Sequence, residues 1–207
     1  MRHGFDASDV ILGVLELAKA LQRLAVRGRP ADPLLELSPP LLRRPGESDF
    51  QIIRDIAWRS WASAYGAFLP EEDRSRFFAQ YYTKDGHRRA LASHRTLFLL
   101  AEDERSPMAF LLATEDAGRV HLHRLYADPR RQRSGAGQVL WDELIRWTRA
   151  RGATRIVFEV ASDGVSGPQF YRKQGCRPID ETVMPIGRVP VRVMRYAFDV
   201  SREVRGR

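Results

Sequence analysis

Residues 127–140 read ADPRRQRSGAGQVL, and this order of residue types indicates a strand end, an anion-binding turn and a helix start. Three arginines follow Pro129, and Gly135 and Gly137 bracket Ala136 before a helical pattern that runs to Ala150. A helix N-terminus presents unpaired N–H groups and the positive end of its dipole, and glycines let an anion approach the backbone. Nearby arginines add charge-assisted contacts to phosphate oxygens. The segment predicts a phosphate site; the alternative is an ordinary strand–helix turn with solvated arginines.

Strand and helix patterns flank this segment on both sides. Apolar periodicity predicts helices over residues 50–65 and 70–82, the first of them opened by a capping box from Ser48 to Gln51. Strands are predicted at residues 41–44, 96–101, 108–114, 119–126 and 155–160. The length of 207 residues suits one domain of this α/β kind, with or without an appendage.

Two short motifs resemble those of a known superfamily. Residues 132–137, QRSGAG, match the pattern Q/R-x-x-G-x-G/A, and residues 170–176, FYRKQGC, resemble a second signature at a similar separation. On these motifs the chain resembles the GNAT superfamily of acyl-CoA-dependent N-acyltransferases over about residues 38–200. The resemblance implies an α/β fold in which helices flank a mixed, mostly antiparallel central sheet.

Residues 1–36 are predicted to form an N-terminal amphipathic helical extension and linker, followed by a GNAT-like acetyltransferase domain at residues 37–207. Five apolar residues from Val10 to Leu24 recur at spacings of four and three, which places them on one face of a helix. This face either packs on its own domain or contacts a partner, a second copy of the chain included. The sequence leaves both alternatives open.

The resemblance implies a site for acetyl-CoA as co-substrate. Backbone amides of the turn would hold the pyrophosphate, with Arg131 or Arg133 adding charge; the turn residues are Gln132, Arg133, Ser134, Gly135, Ala136 and Gly137. The main chain of Leu125, Tyr126 and Ala127 would pair with the pantetheine arm like an added strand.

Tyr171 is the residue that the resemblance places near the thioester sulfur, where it would protonate the leaving thiolate. An unperturbed phenol has a pKa near 10 and a thiol one near 8.5, so full proton transfer to the thiolate is mildly uphill. Tyr171 is therefore expected to act by hydrogen bonding as much as by full transfer. The alternative is a purely structural aromatic residue beside Phe170.

Two residues are candidates for the base that removes a proton from the attacking amine. Many relatives carry Glu six residues before the position of Ala127, and here that residue is His121. Strand alternation places His121, His123 and Leu125 on one face, and a neutral imidazole can accept a proton. Glu159 is the competitor. The alternative for both histidines is a solvent-facing position without catalytic role.

Two departures from the superfamily pattern are visible. Gly164 stands where relatives often carry an Asn that contacts the cofactor arm, and Ser162 or Ser166 is a possible substitute. Cys176 occupies a position that is usually aromatic, and it is interpreted as a small buried apolar residue.

Composition narrows the remaining function classes. A single cysteine excludes an intramolecular disulfide and a cysteine-cluster metal site, so no metal is expected and the reducing cytoplasm is the expected compartment. No apolar run reaches the roughly 18 residues of a membrane helix. The excess of 34 Lys+Arg over 26 Asp+Glu contains no long basic block, which favours a local anion site over an extended nucleic-acid surface.

The sequence thus predicts an N-acetyltransferase that moves an acetyl group directly from acetyl-CoA to a primary amine, on a small molecule or a protein. Two alternatives remain: a non-catalytic acyl-CoA sensor, and a toxin-type enzyme that acetylates aminoacyl-tRNA. The acceptor would lie against an aromatic wall from Trp58, Trp61, Tyr65, Tyr81 and Tyr82, or beside a hairpin around residues 183–193. The five aromatic residues are equally explained as ordinary helix core.

Overall fold

The computed structural model describes residues 39–104, 106–162 and 166–201, with Ser166 described by its backbone alone. The predicted extension at residues 1–36 lies outside these ranges, and so does Gly164. The division of the chain into an extension and a domain therefore stays a prediction.

A seven-stranded sheet forms the centre of the described structure. Its strands are β1 (Leu41–Arg43), β2 (Thr96–Glu102), β3 (Pro107–Asp116), β4 (Arg119–Ala127), β5 (Arg155–Ala161), β6 (Arg177–Ile186) and β7 (Val189–Asp199). They lie in the order β1-β2-β3-β4-β5-β7-β6. Among these strands only β4 and β5 pair in parallel, and every other pair is antiparallel. The predicted mixed, mostly antiparallel sheet is confirmed.

Helices cover both faces of the sheet. They are α1 (Phe50–Tyr65), α2 (Glu71–Tyr81), α3 (Lys84–Ala92), α4 (Ala136–Ala150) and α5 (Ser166–Lys173). On one face Leu140 and Trp141 of α4 pack against Val120 and Ile156, and the other face carries the apolar residues of α1 and α2. No helix in the described ranges combines the length and apolarity needed to cross a membrane.

The start of α1 differs from the predicted capping box. A 3-10 turn at Glu47–Asp49 precedes α1, and no side-chain bond from the N-cap residue Asp49 caps α1 itself. Asp49 instead closes the 3-10 turn: it accepts a hydrogen bond from the Gly46 amide at 2.7 Å, and the Arg43 guanidinium donates to both of its oxygens. These bonds hold the pKa of Asp49 below its usual range. Since Arg43 belongs to β1, the helix start depends on a strand residue that a local motif does not include.

A β-bulge interrupts β4. Leu112 of β3 is opposite Arg124 and Ala113 is opposite Leu122, so His123 is an extra residue without its own partner. Bulges bend a strand and redirect side chains, and they are frequent beside active sites. Leu125 therefore packs with Leu122 in the α4-side core. The expectation that His121 and His123 share a face with Leu125 was wrong, because the bulge shifts the alternation by one residue.

Candidate active site

The parallel strands β4 and β5 separate along their length. They pair only between Arg119–His121 and Arg155–Val157, and in the described structure their later halves do not pair with each other. Two cavities open in this wedge. The first, of about 480 Å³, lies against the β4–α4 turn and is called here the loop groove. The second, of about 550 Å³, lies between α1, β4, β5 and the β6–β7 hairpin and is called the hairpin cavity.

The turn before α4 has the geometry of an anion site. Arg133 and Gly135 have positive φ angles of 65° and 83°, and Gly135 caps the helix. The amide N–H groups of Gln132, Arg133, Gly135 and Gly137 donate to no acceptor in the described part of the chain. A Cβ placed on Gly135 would meet nothing within 4 Å, so the space above the turn is open. Unpaired amides at a helix N-terminus fit a phosphate group.

The arginines of the turn have different surroundings. Arg131 forms an ion pair with Asp103 and donates to the Ser106 hydroxyl at 3.0 Å. Arg133 is exposed, lines the loop groove and makes no ion pair with a described residue. Lys173 at the end of α5 also lines the loop groove, a position that sequence reasoning did not single out. Of the two arginines, Arg133 has the freer charge for a ligand.

The end of β4 offers a backbone edge to the loop groove. Leu125, Tyr126 and Ala127 pair with β3 on one side only, and all three residues line the groove. Since β5 has separated at this point, their other edge is open to an extended ligand. The structure therefore brings the predicted strand segment and the predicted turn residues into one groove.

Tyr171 lies on α5 and lines the loop groove, with 7% of its surface exposed. Its ring packs against Phe158 at 4.2 Å and Trp141 at 5.7 Å between centroids. Burial raises the pKa of its phenol well above 10. A phenol that holds its proton this firmly is a hydrogen-bond donor at neutral pH. The ring is thus part of the core, and the hydroxyl remains available for the predicted role.

The two cavities share a junction. The residues that line both are Tyr65, Leu122, His123, Tyr126, Phe158, Glu159 and Ala161. His121, the predicted base, lines the hairpin cavity but is not among the residues of the loop groove. Of the two histidines, His123 is the one located where a ligand in the groove would meet a ligand in the cavity.

His123 also has an orienting partner that sequence reasoning missed. Its Nε2 lies 2.7 Å from the Thr114 hydroxyl of β3, and its ring lies 6.5 Å from the nearly parallel ring of His121. His123 is exposed on part of its surface, yet partial desolvation of the ring, followed by the neighbouring charges of His121 and Arg124, lowers its pKa below 6.5. The imidazole is therefore neutral at pH 7, and its one lone pair is free to accept a proton, at Nδ1, in the tautomer whose Nε2–H donates to the Thr114 hydroxyl. Thr114 gave no sequence signal, since its neighbour depends on strand register.

Glu159, the competing base, is held by an arginine of β7. Arg195 donates to one carboxylate oxygen of Glu159 at 3.3 and 3.4 Å and also contacts Asp180 at 3.3 Å. The oxygen that accepts these bonds is already occupied by the guanidinium. Glu159 is therefore better suited to shaping the junction than to removing a proton.

The predicted aromatic wall is divided between core and cavity. Trp61 and Tyr65 line the hairpin cavity, whereas Tyr82 stacks on Phe78 in the core. Trp58 packs edge-on against Phe78, and Tyr81 is exposed. Residues of the predicted hairpin, Met184, Val191 and Val193, complete the cavity wall.

Cys176 behaves as the sequence predicted. It is 5% exposed within the α4-side core, and burial raises the pKa of its thiol to about 12. A thiol with such a pKa forms little thiolate at neutral pH and is a poor nucleophile.

Comparison with known families agrees with this geometry. The family described as "Acetyltransferase (GNAT) family" matches residues 50–176, more than half of the chain. None of the curated proteins compared with the chain matches its sequence significantly.

Solved structures share the fold at low sequence identity. A PaiA N-acetyltransferase from Thermoplasma acidophilum in complex with coenzyme A is 22% identical, with a TM-score of 0.66 over 76% of this chain and 98% of that one. The ribosomal-protein-S18-alanine N-acetyltransferase from Escherichia coli is 16% identical, with a TM-score of 0.60 over 81% and 98%. Ard1 from Thermoplasma volcanium is 18% identical, with a TM-score of 0.61 over 76% and 97%. At these identities the likeness concerns the fold.

Proposed function

The chain belongs to the acetyltransferase (GNAT) family, and on this basis we propose that it transfers an acetyl group from acetyl-CoA to a primary amine by direct transfer. The loop groove would hold the CoA and the hairpin cavity the amine. The observation that carries the proposal is the meeting of the two cavities at one junction, with unpaired amides at one end and a neutral imidazole in the middle.

The residues of the loop groove fit a CoA molecule. Open space above Gly135 and the free amides of Gln132, Arg133, Gly135 and Gly137 suit the pyrophosphate. Arg133 and Lys173 supply positive charge. The free edge of Leu125–Ala127 suits an amide-containing arm, which pairs with an extended strand. Bound acetyl-CoA would supply an activated acyl carbon and a thiolate leaving group.

The junction supplies the proton chemistry. An amine attacks only when neutral, so a proton must leave its nitrogen as the C–N bond forms. We assign this proton to Nδ1 of His123, which carries the free lone pair at neutral pH when Nε2–H donates to the Thr114 hydroxyl that orients the ring. His121, in the adjoining cavity, remains the candidate derived from sequence and would pass the proton on to solvent. Tyr171 would donate a hydrogen bond from its hydroxyl to the departing sulfur, and Glu159 would form part of the wall of the junction.

Two measurements on the purified chain test the proposal. Calorimetric titration with acetyl-CoA and with CoA should give micromolar binding, a typical strength for a site with a few charge-assisted contacts. Thiol release on addition of a panel of amines should then be faster than acetyl-CoA hydrolysis alone. Binding without amine-dependent thiol release would support the acyl-CoA sensor instead. An absence of binding to folded protein would refute the assignment of the loop groove.

A further inference from the structure

We infer that the acceptor is a small monoamine with an apolar body, and that the hairpin cavity selects against polyamines and other multiply cationic acceptors. This inference rests on the proposed function and goes beyond it, since the family covers amines of many kinds. Two features of the cavity carry it: the chemistry of its deep wall and the sign of the charge at its rim.

The deep wall is apolar. Trp61 is 6% exposed and stacks on Phe77 with ring centroids 4.6 Å apart, and Val191 and Val193 of β7 face it from the sheet. Phe68, Leu69, Met184 and Ile186 also line the cavity. Apolar area removed from water is favourable in proportion to its size, whereas a second ammonium group placed here would lose its hydration. The volume of about 550 Å³ lies within the range of small-molecule sites, about 300–1,000 Å³.

The rim of the cavity is positively charged. Among the described residues that line it, Arg119, Arg155 and Arg195 are opposed by one carboxylate, Glu159, which is already paired with Arg195. A single ammonium at the junction can approach Glu159. A second ammonium group, further from the junction, would lie near arginines. No other carboxylate among the described residues lines the cavity. Like-charge contacts of this kind are a strong element of selectivity.

Two of these arginines are neighbours across the sheet. Arg119 and Arg155 are register partners of the parallel β4–β5 pair, and neither forms an ion pair with a described residue. On the outer strands, Asp116 is the register partner of Arg119 and Asp199 is the register partner of Arg155, but neither aspartate lines the cavity. Asp116 forms an ion pair with Arg95 at 3.7 Å, and Asp199 accepts a hydrogen bond from Ser201. Like charges opposite each other destabilise a sheet, so this pair favours an uncharged or anionic group at the far end of the acceptor.

Three amines of equal chain length test the inference: hexylamine, 1,6-diaminohexane and 6-aminohexanoate. Each offers a reactive primary amine, and they differ at the far end of the chain. We expect kcat/KM to be highest for hexylamine, slightly lower for 6-aminohexanoate, and at least about tenfold lower for the diamine. Along butylamine, pentylamine and hexylamine, each added methylene should raise kcat/KM about three- to fivefold. A diamine that equals or exceeds hexylamine would overturn the inference, and so would a peptide N-terminus that exceeds every alkylamine.

A matched pair of variants locates the effect. Ile179 and Val183 are both exposed residues of β6, at 53% and 57%, but only Ile179 lines the hairpin cavity. Ile179→Glu should raise the ratio of diamine to hexylamine activity about tenfold, because it places a carboxylate at the rim. Val183→Glu should leave that ratio unchanged. An equal effect of the two variants would show that the cavity is not the acceptor site.

Binding separates a failure of this inference from a failure of the proposed function. If no amine releases thiol, the same three amines are titrated calorimetrically into protein saturated with CoA. Preferential binding of hexylamine would support the selectivity of the cavity while refuting catalysis. Preferential binding of the diamine, or an absence of binding by all three, would refute the inference.

Discussion

The Nε2 atom of His123 lies 2.7 Å from the hydroxyl oxygen of Thr114, across the β3–β4 pair at the position of the bulge. The contact fixes the ring of the one histidine that lines both cavities. Without the bulge, the side chains of β4 would alternate regularly between the two faces of the sheet, and the pairing of β4 with β3 would not shift by one residue at this point. The bulge thus sets the position of His123, and the Thr114 contact sets the orientation of its ring.

Removal of His123 should affect turnover more than removal of His121. His123→Ala should lower kcat/KM by about a hundredfold or more, the usual contribution of a positioned base, while CoA affinity stays constant. His121→Ala should cost less, since His121 lies outside the loop groove. Steady-state rates with one amine measure both variants. The reverse order of effects would return the base role to His121.

The pH dependence of the rate tests the same assignment. Because the pKa of His123 lies below 6.5, the lone pair is present above that pH and is lost as the pH falls through the pKa. The ratio of wild-type to His123→Ala activity should therefore be constant at about pH 7–8 and fall as the pH decreases through the lowered pKa. Taking this ratio cancels the protonation of the amine itself. A ratio that still rises above pH 7 would contradict a base with a lowered pKa.

Thr114 should behave as a positioning residue. Thr114→Val removes the hydroxyl at nearly constant shape, and we expect kcat to fall about three- to tenfold with little change in KM. Thr114→Ser keeps the hydroxyl and should restore most of the rate. If the serine and valine variants lose the same activity, packing and not the hydrogen bond to His123 is responsible.

The hydroxyl of Tyr171 should matter for turnover and not for folding. Tyr171→Phe keeps the ring that packs on Phe158, so stability and CoA affinity should stay unchanged while kcat falls about ten- to a hundredfold. Tyr196→Phe is the matched control, because Tyr196 stacks on the other side of the same core and lines neither cavity. Equal kcat losses in the two variants would indicate a packing effect.

The parts of the site that depend on local sequence could be predicted, and the parts that depend on strand register could not. The turn before α4 follows from its glycines, its arginines and the helix behind it, which are all close in sequence. The bulge at His123 depends on how β3 pairs with β4, and the Glu159–Arg195 pair joins two strands far apart in the chain. The count of six residues back from Ala127 to His121 assumes that side chains alternate regularly along β4, and the bulge interrupts that alternation.

Helix α3 was missed for a similar reason. It contains Gly86, which weakens a helix, and a single buried residue, His87, so its apolar periodicity is weak. Its stability comes from outside the local pattern: Thr83 caps the Gly86 amide at 3.0 Å, and His87 Nε2 contacts the Gly46 carbonyl oxygen at 2.9 Å. The second contact is tertiary and gives no signal in the local sequence.

Substitutions at Gly135 should separate backbone strain from charge. Its φ of 83° is left-handed, so Gly135→Ala should cost about 1–2 kcal/mol of stability and reduce CoA affinity modestly. Gly135→Glu adds a carboxylate where the pyrophosphate is expected, and calorimetry should then detect no CoA binding to folded protein. Gly118→Ala, with a φ of 75° and open space around it, controls for strain outside the site. Retained CoA affinity in Gly135→Glu would place the phosphate site elsewhere.

Gly187→Ala should damage the acceptor side of the site and spare the CoA side. Gly187 joins β6 to β7 with a φ of 59°, and a Cβ there would overlap the carboxylate of Asp73, which is buried and accepts a hydrogen bond from the Arg188 amide at 3.3 Å. Relief of the overlap must move the hairpin away from α2, so stability should fall by about 3 kcal/mol or more. KM for the amine should rise, because Val191 and Val193 line the hairpin cavity. The calorimetric affinity for CoA should stay unchanged, since none of the described residues that line the loop groove belongs to the hairpin. Gly118→Ala has similar strain without the overlap, and if its stability loss equals that of Gly187→Ala, the contact with Asp73 does not anchor the hairpin.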